Sequence, residues 1–172
     1  MAGHSRGGYV ALLAATRTDR IRAVLAVDVK SDWTEADVEL AERSRDASQR
    51  VEPDRDALVN RLATSLQPVV FDENELERLA ERSIESLADG WRFRWDRRVL
   101  AAEPVDPFAS LPSVRCPAHV MAGRDSPVMP HASAERFADA VPGARLELIY
   151  GVGHHVELEA PRRVAARIRT LG

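Results

Sequence analysis

The stretch GHSRGG at residues 3–8 runs straight into residues 9–16, which are rich in alanine and leucine and predict a helix. Its first five residues match the pattern G-x-S-x-G, in which a serine occupies a sharp turn between a strand and a helix. Flanking glycines let such a turn close without Cβ clashes, and the helix behind it directs its N-terminal N–H groups toward the serine. Ser5 is therefore a candidate nucleophile, and a glycine turn with an incidental serine is the alternative.

The composition is that of an ordinary globular domain. The chain has 172 residues, of which 45% are hydrophobic and 30% charged. A net charge of −3 offers no electrostatic support for binding nucleic acid. The longest apolar run is too short to cross a bilayer, and no signal-peptide pattern is visible. These features, together with a single cysteine, predict a cytoplasmic protein that contacts neither nucleic acid nor membrane.

Strand and helix patterns alternate on both sides of a long middle segment. A short apolar run that ends near Asp28 predicts a buried strand. From Val114 onward the pattern resumes, with predicted strands at 114–122 and 144–150 and predicted helices at 132–140 and 161–171. Strands that alternate with helices indicate an α/β fold, with a parallel sheet covered on both faces.

The middle segment, residues 31–107, is predicted to be a helical insertion. It is charged, carries little strand signal, and contains predicted helices at 54–66 and 72–87. Asp72 is the expected N-cap of the second helix, with Glu75 three residues later. The aromatic residues in or beside the insertion either pack in its core or shape an apolar acyl pocket; they are Trp33, Trp91, Phe93 and Trp95.

Two further candidates follow predicted strands, where catalytic groups of parallel sheets collect. Asp125 comes directly after the strand at 114–122, and its alternative interpretation is a turn residue beside Pro127. His154 lies in a glycine-containing loop after the last strand, and its alternative is a surface histidine. His155 competes with it, but the position immediately after Gly153 is favoured.

Taken together, these motifs resemble the α/β-hydrolase superfamily, whose catalytic residues follow the order Ser, Asp, His. The resemblance covers essentially the whole chain and includes GHSRGG, the strand at 23–27, CPAHVMAGRDSPVMP and GVGHHVELEAP. It implies the C-terminal part of such a fold: parallel strands, flanking helices and a helical cap. Three divisions are expected. Residues 1–30 form the turn that carries Ser5 with its helix and strand, residues 31–107 form the cap, and residues 108–172 form the remaining core.

The resemblance also implies a role for each site residue. Ser5 would be the nucleophile, His154 the general base and then acid, and Asp125 the carboxylate that orients His154. Asp28 is the alternative acid, because some relatives carry the acid there, and the backbone N–H of Arg6 would bind the oxyanion. No metal or cofactor is implied, and the substrate would be a small molecule with an acyl bond.

The chain departs from the family pattern at its beginning, because only Met1 and Ala2 precede the motif. We therefore expect an N-terminally truncated chain that lacks the strand that carries Ser5 and the neighbour of the strand at 23–27. An exposed strand edge of this kind would favour self-association. The chain would be a slow esterase at best. A C–C bond hydrolase, a thioesterase, a perhydrolase and a non-catalytic binding module or fragment remain alternatives.

Overall fold

The computed structural model describes residues 1–45, 50–96, 99 and 106–171. The chain divides into two compact units, one formed by residues 1–32 with 105–172 and the other by residues 33–104. The division expected from the sequence, with an insertion at 31–107, lies within three residues of these limits. Residues 46–49, 97–98 and 100–105 of that insertion lie outside the described part of the chain.

The first unit contains a four-stranded parallel sheet. Its strands, in their order across the sheet, are β1 (Ala2–His4), β2 (Val24–Val27), β5 (Ala118–Gly123) and β6 (Arg145–Ile149). Because all four run in the same direction, the residues that follow them gather at one end of the sheet, the carboxyl end of its strands. Every residue of β2 and β5 is buried, as continuous apolar runs in a sheet covered on both faces require.

Helices cover both faces of this sheet. On one face, α1 (Arg6–Ala15) and α5 (His131–Asp139) pack on the core that contains Val24 and Ala26. On the other face, Leu25 and Val27 pack with residues of α6 (Val156–Glu159) and α7 (Pro161–Arg169). Successive residues of β2 thus alternate between the two cores, as the two-residue period of a strand dictates.

The expectation that Ser5 and the strand at 23–27 lack a neighbouring strand is wrong. Residues 2–4 form β1, which pairs in parallel with β2 so that Gly3 lies opposite Ala26. The terminal amino group of Met1 extends the contact by donating to the carbonyl oxygen of Ala23 at 2.7 Å. The pairing extends over all three residues of β1. The edge strands of the sheet are therefore β1 and β6, and β2 is internal.

Among its described residues, the second unit contains three α-helices and a two-stranded hairpin. Its helices are α2 (Glu35–Arg45), α3 (Arg55–Ser65) and α4 (Glu73–Ser83), and its strands are β3 (Ile84–Leu87) and β4 (Gly90–Phe93). The predicted capping box is confirmed: Asp72 accepts from the Glu75 N–H, and the Glu75 carboxylate accepts from the Asp72 N–H. The predicted helix at 72–87 is too long, because residues 84–87 pair with β4.

The aromatic residues of the insertion differ in their environments. Trp91 and Phe93 pack against the core of the second unit, which contains Leu58, Ala80 and Ile84. Trp95 is more exposed, at 42% of its surface. Core packing therefore accounts for two of these aromatic side chains. Among the described residues, no helix combines the length and apolar character needed to cross a bilayer.

Candidate active site

Ser5 sits on a strained turn between β1 and α1. Its backbone φ of 52° and ψ of −125° lie outside the regions that serine normally occupies. The turn is held by hydrogen bonds: the Ser5 N–H donates to the Val27 carbonyl at 2.7 Å, and the N–H groups of Gly8 and Tyr9 donate to the Ser5 carbonyl. Strain of this kind costs about 1–3 kcal/mol and concentrates at functional sites.

The glycines of the motif differ in what they contribute. A Cβ on Gly3 would overlap the backbone carbon and oxygen of Gly7, and one on Gly8 would lie 2.7 Å from Val29 Cγ2 and 2.8 Å from the Gly3 oxygen. A Cβ on Gly7 would meet nothing within 4 Å. The steric requirement predicted for the flanking glycines thus applies to Gly3 and Gly8, whereas Gly7 has room for a side chain.

Asp28 follows β2 and is fully buried. Its φ of 46° places it in the left-handed region, which aspartate tolerates better than most residues. The carboxylate accepts from the Gly123 N–H at 2.9 Å, from the Ser126 hydroxyl at 2.7 Å, and it pairs with His154 Nδ1 at 2.7 Å. A buried charge is tolerated when it is paired and hydrogen-bonded in this way.

His154 lies in the loop formed by residues 150–155, here called the histidine loop. It reaches Asp28 because this loop passes directly over the end of β5. A Cβ on Gly123 would overlap the carbonyl oxygens of Val152 and Gly153, so only glycine allows this approach. Two hydrogen bonds hold the loop. The Asp125 N–H donates to the Val152 carbonyl at 3.0 Å, and Glu159 Oε2 accepts from the Gly153 N–H at 2.9 Å.

The structure pairs His154 with Asp28 and not with Asp125, so the preference for Asp125 over Asp28 is corrected on geometric grounds. The Asp125 side chain is exposed, and its backbone serves the turn beside Pro127, as the alternative interpretation held. The reason is the path of the loop after β6 and not strand adjacency, because β5 and not β2 is the direct neighbour of β6. The loop crosses the end of β5 at Gly123 and so brings His154 to Asp28 at the end of β2.

His4 connects the turn that carries Ser5 with the loop that carries His154. His4 immediately precedes Ser5, and its Nε2 lies 2.9 Å from the backbone oxygen of His154. The two imidazole rings are 4.5 Å apart between centroids. Burial lowers the pKa of His4, and the nearby Glu157 carboxylate acts in the opposite direction. His155, the competitor of His154, faces Glu157 at 3.6 Å instead of Asp28.

The arrangement brings a serine, an imidazole and a buried carboxylate to the carboxyl end of the strands. In the described part of the chain the Ser5 hydroxyl makes no hydrogen bond, and such contacts commonly tighten only when substrate binds. The Arg6 amide lies in the first turn of α1, where the helix carries partial positive charge. Sequence reasoning did not identify Gly123 and Ser126 as site residues, although both lie in the segment that follows β5.

Comparisons with known proteins agree with this fold. A family model described as "Alpha/beta hydrolase family" matches residues 1–167. Esterase YbfF of Escherichia coli (strain K12) is 28% identical over 176 residues, which cover 97% of this chain and 64% of that protein. The chain therefore spans slightly less than two thirds of that relative.

Two solved structures illustrate the structural likeness. E-2-(acetamidomethylene)succinate hydrolase superposes with a TM-score of 0.82 at 19% identity, over 99% of this chain and 65% of its own. The thioesterase domain from the curacin biosynthetic pathway superposes with a TM-score of 0.76 at 22% identity, over 98% of this chain and 64% of its own. At these identities the likeness concerns the fold alone.

Proposed function

The chain belongs to the alpha/beta hydrolase family, and from this premise we propose that it hydrolyses a carboxylic ester or related acyl bond through an acyl-serine intermediate. Ser5 is the nucleophile, His154 the general base, and Asp28 the carboxylate that orients His154. The observation that carries the proposal is the 2.7 Å contact between His154 Nδ1 and the buried Asp28 carboxylate. Esterase YbfF, a 28% identical relative, supports an ester as substrate class.

The Asp28 contact prepares His154 for proton transfer. A carboxylate can only accept, so it keeps the proton of the neutral ring on Nδ1 and leaves a lone pair on Nε2. When Ser5 Oγ attacks the acyl carbon, its proton moves to Nε2, and the resulting imidazolium is stabilised by Asp28. Because Gly123 and Ser126 already donate to this carboxylate, it need not reorganise during the reaction.

The remaining steps follow from the same groups. Negative charge on the former carbonyl oxygen is stabilised by the Arg6 N–H, next to the nucleophile. Collapse of the tetrahedral intermediate releases the alcohol, which takes its proton from His154 Nε2, and leaves the acyl group on Ser5 Oγ. A water molecule then gives a proton to His154, attacks the acyl-serine, and releases the acid while Ser5 regains its proton.

A fluorophosphonate probe tests the proposal, because it reacts with activated serines. We expect stoichiometric labelling of the chain, measured by intact mass, and no labelling of Ser5→Ala. Ser113→Ala is the matched control, since Ser113 is an exposed serine that precedes β5, whereas Ser5 follows β1. If the probe leaves the wild-type chain unlabelled while circular dichroism shows it folded, the proposal is wrong and a binding module fits better.

A further inference from the structure

A second cluster of chemistry-bearing side chains lies beside the proposed triad. It consists of His4 at the end of β1, His155 after β6, and Glu157 in α6. Glu157 Oε1 lies 3.4 Å from His4 Nδ1 and 3.6 Å from His155 Nδ1. The three ligand-type atoms all lie within 4.8 Å of one another, and the three residues are half-buried. The proposed hydrolysis uses none of these three side chains.

The hydrogen bonds around His4 leave two acceptor atoms, His4 Nδ1 and a Glu157 carboxylate oxygen, facing each other. The His154 backbone oxygen can only accept, so His4 Nε2, 2.9 Å away, must donate to it. In the neutral ring, His4 Nδ1 then presents a lone pair to the Glu157 carboxylate. In addition, Glu157 Oε2 is buried without a hydrogen-bond partner among the described residues. Acceptors that face each other in this way are stabilised by a cation between them.

The two carboxylate–imidazole distances, 3.4 and 3.6 Å, match the ligand spacing of a transition-metal site. Zinc binds histidine nitrogen and carboxylate oxygen at about 2.0–2.2 Å, which in a tetrahedron places neighbouring ligand atoms about 3.4 Å apart. A metal-bound histidine typically donates its other N–H to a backbone carbonyl or carboxylate, as His4 does toward His154. Imidazole ligands select zinc, copper and nickel, whereas magnesium and calcium prefer sites made of oxygen ligands.

We propose that His4 Nδ1, His155 Nδ1 and a Glu157 carboxylate oxygen bind a divalent transition-metal ion, of which Zn²⁺ is the representative. Three protein ligands leave a fourth position for water. His4 precedes Ser5 and His155 follows His154, so the ion ties the serine turn to the histidine loop. This site is separate from the metal-independent hydrolysis proposed above, and it stands whether or not the chain is a hydrolase.

Isothermal titration of the untagged 172-residue chain with Zn²⁺ tests the proposal directly. We expect one ion per chain, and at least tenfold weaker binding by His155→Ala and by Glu157→Gln. His131→Ala is the matched control, because His131 also lies near a carboxylate, Glu135 at 3.3 Å, but no third ligand lies near the pair among the described residues. Its affinity should equal that of the wild type, and Mg²⁺ should not bind.

Thermal unfolding provides a second readout that does not depend on activity. An ion that binds only the folded state raises the unfolding midpoint, so Zn²⁺ should raise it for the wild type and for His131→Ala but not for Glu157→Gln. Glu157→Gln keeps the shape of the side chain, and circular dichroism verifies its fold. The proposal is overturned if the folded wild type does not bind Zn²⁺, or if all variants bind it equally.

Discussion

The Asp28 carboxylate holds the histidine loop against the end of β5 through three hydrogen bonds at 2.7–2.9 Å. Asp28→Asn places an amide where His154 Nδ1–H needs an acceptor, and this favours the wrong ring tautomer. In a serine triad such a change lowers turnover by about four orders of magnitude. We expect a loss of this size in the rate of ester hydrolysis or of fluorophosphonate labelling.

Asp125→Asn is the matched control for that experiment. Asp125 is an exposed carboxylate at the same end of the sheet, and its contact with the loop is made by its backbone N–H, which the substitution retains. Its rate should stay within about twofold of the wild type. Equal losses in both variants would contradict the assignment of Asp28, and a loss in Asp125→Asn alone would return the role to Asp125.

We expect His119 to contribute to the pH dependence of the stability of the fold. It is buried in β5, and burial lowers its pKa below 6.5; Arg167 and Arg145 act in the same direction, while Glu147 opposes them. The unfolded chain therefore binds a proton near and below pH 6.5 that the folded chain does not. We therefore expect the contribution of His119 to the free energy of unfolding to be largest above pH 6.5 and to fall as the pH decreases toward the lowered pKa.

Urea denaturation at several pH values between 5 and 7.5 measures this effect. In His119→Gln the free energy of unfolding should fall less steeply below pH 6.5 than in the wild type, because one of the groups responsible is gone. The slope need not vanish, since burial also lowers the pKa of His4. An unchanged slope in a folded variant would show that His119 does not contribute.

At the scale of elements, the turn between β1 and α1 depends on the size of particular residues. Gly3→Ala would force the first residues of α1 away from β1, because its Cβ overlaps the Gly7 backbone. We expect it to lower the free energy of unfolding by several kcal/mol, as overpacking against backbone does (about 1–3 kcal/mol or more). Chemical denaturation monitored by circular dichroism measures the change.

Gly7→Ala is the control for the same turn. Gly7 lies in α1, and a Cβ there meets nothing within 4 Å. Alanine is favoured over glycine inside a helix by about 1 kcal/mol, so this variant should be as stable as the wild type or slightly more stable. If both alanine variants were equally destabilised, the turn would require glycine for a reason other than the overlap at Gly3.

At the scale of the whole molecule, β1 is one of the two edge strands of the sheet, the other being β6. The strand β1 has three residues, and the side of β1 away from β2 is unpaired within the described part of the chain. Unpaired strand edges template pairing with another chain. We therefore propose that this chain self-associates through β1, and sedimentation velocity at increasing concentration should show a growing fraction of dimers or larger species.

A lysine on the edge should weaken this association, because charge on an edge strand opposes pairing. Ala2→Lys is suitable since Ala2 is exposed in β1, and Val70→Lys, at a residue 91% exposed in the second unit, is the control. The Ala2 variant should sediment as a monomer at concentrations where the control associates. A wild-type chain that stays monomeric throughout would contradict this proposal.

Much of the fold follows from local patterns. The apolar run at 23–27 and the helix behind Ser5 are recognisable because burial on both faces and the period of a helix leave direct traces in composition. The capping box at Asp72 is equally local, since its partners are three residues apart. The error at residues 84–87 arose because their pairing with β4 depends on residues beyond the helix, which no helical period records.

The family, the serine turn and the loop that carries His154 could be recognised from the sequence, because each corresponds to a short, contiguous motif. Which carboxylate faces His154 depends on the tertiary structure, because Asp28 and Asp125 each follow a strand, and the loop after β6 crosses the end of β5 and brings His154 to Asp28 at the end of β2. The same holds for His4, His155 and Glu157, which come together because parallel strands bring residues about 150 positions apart to one end of the sheet.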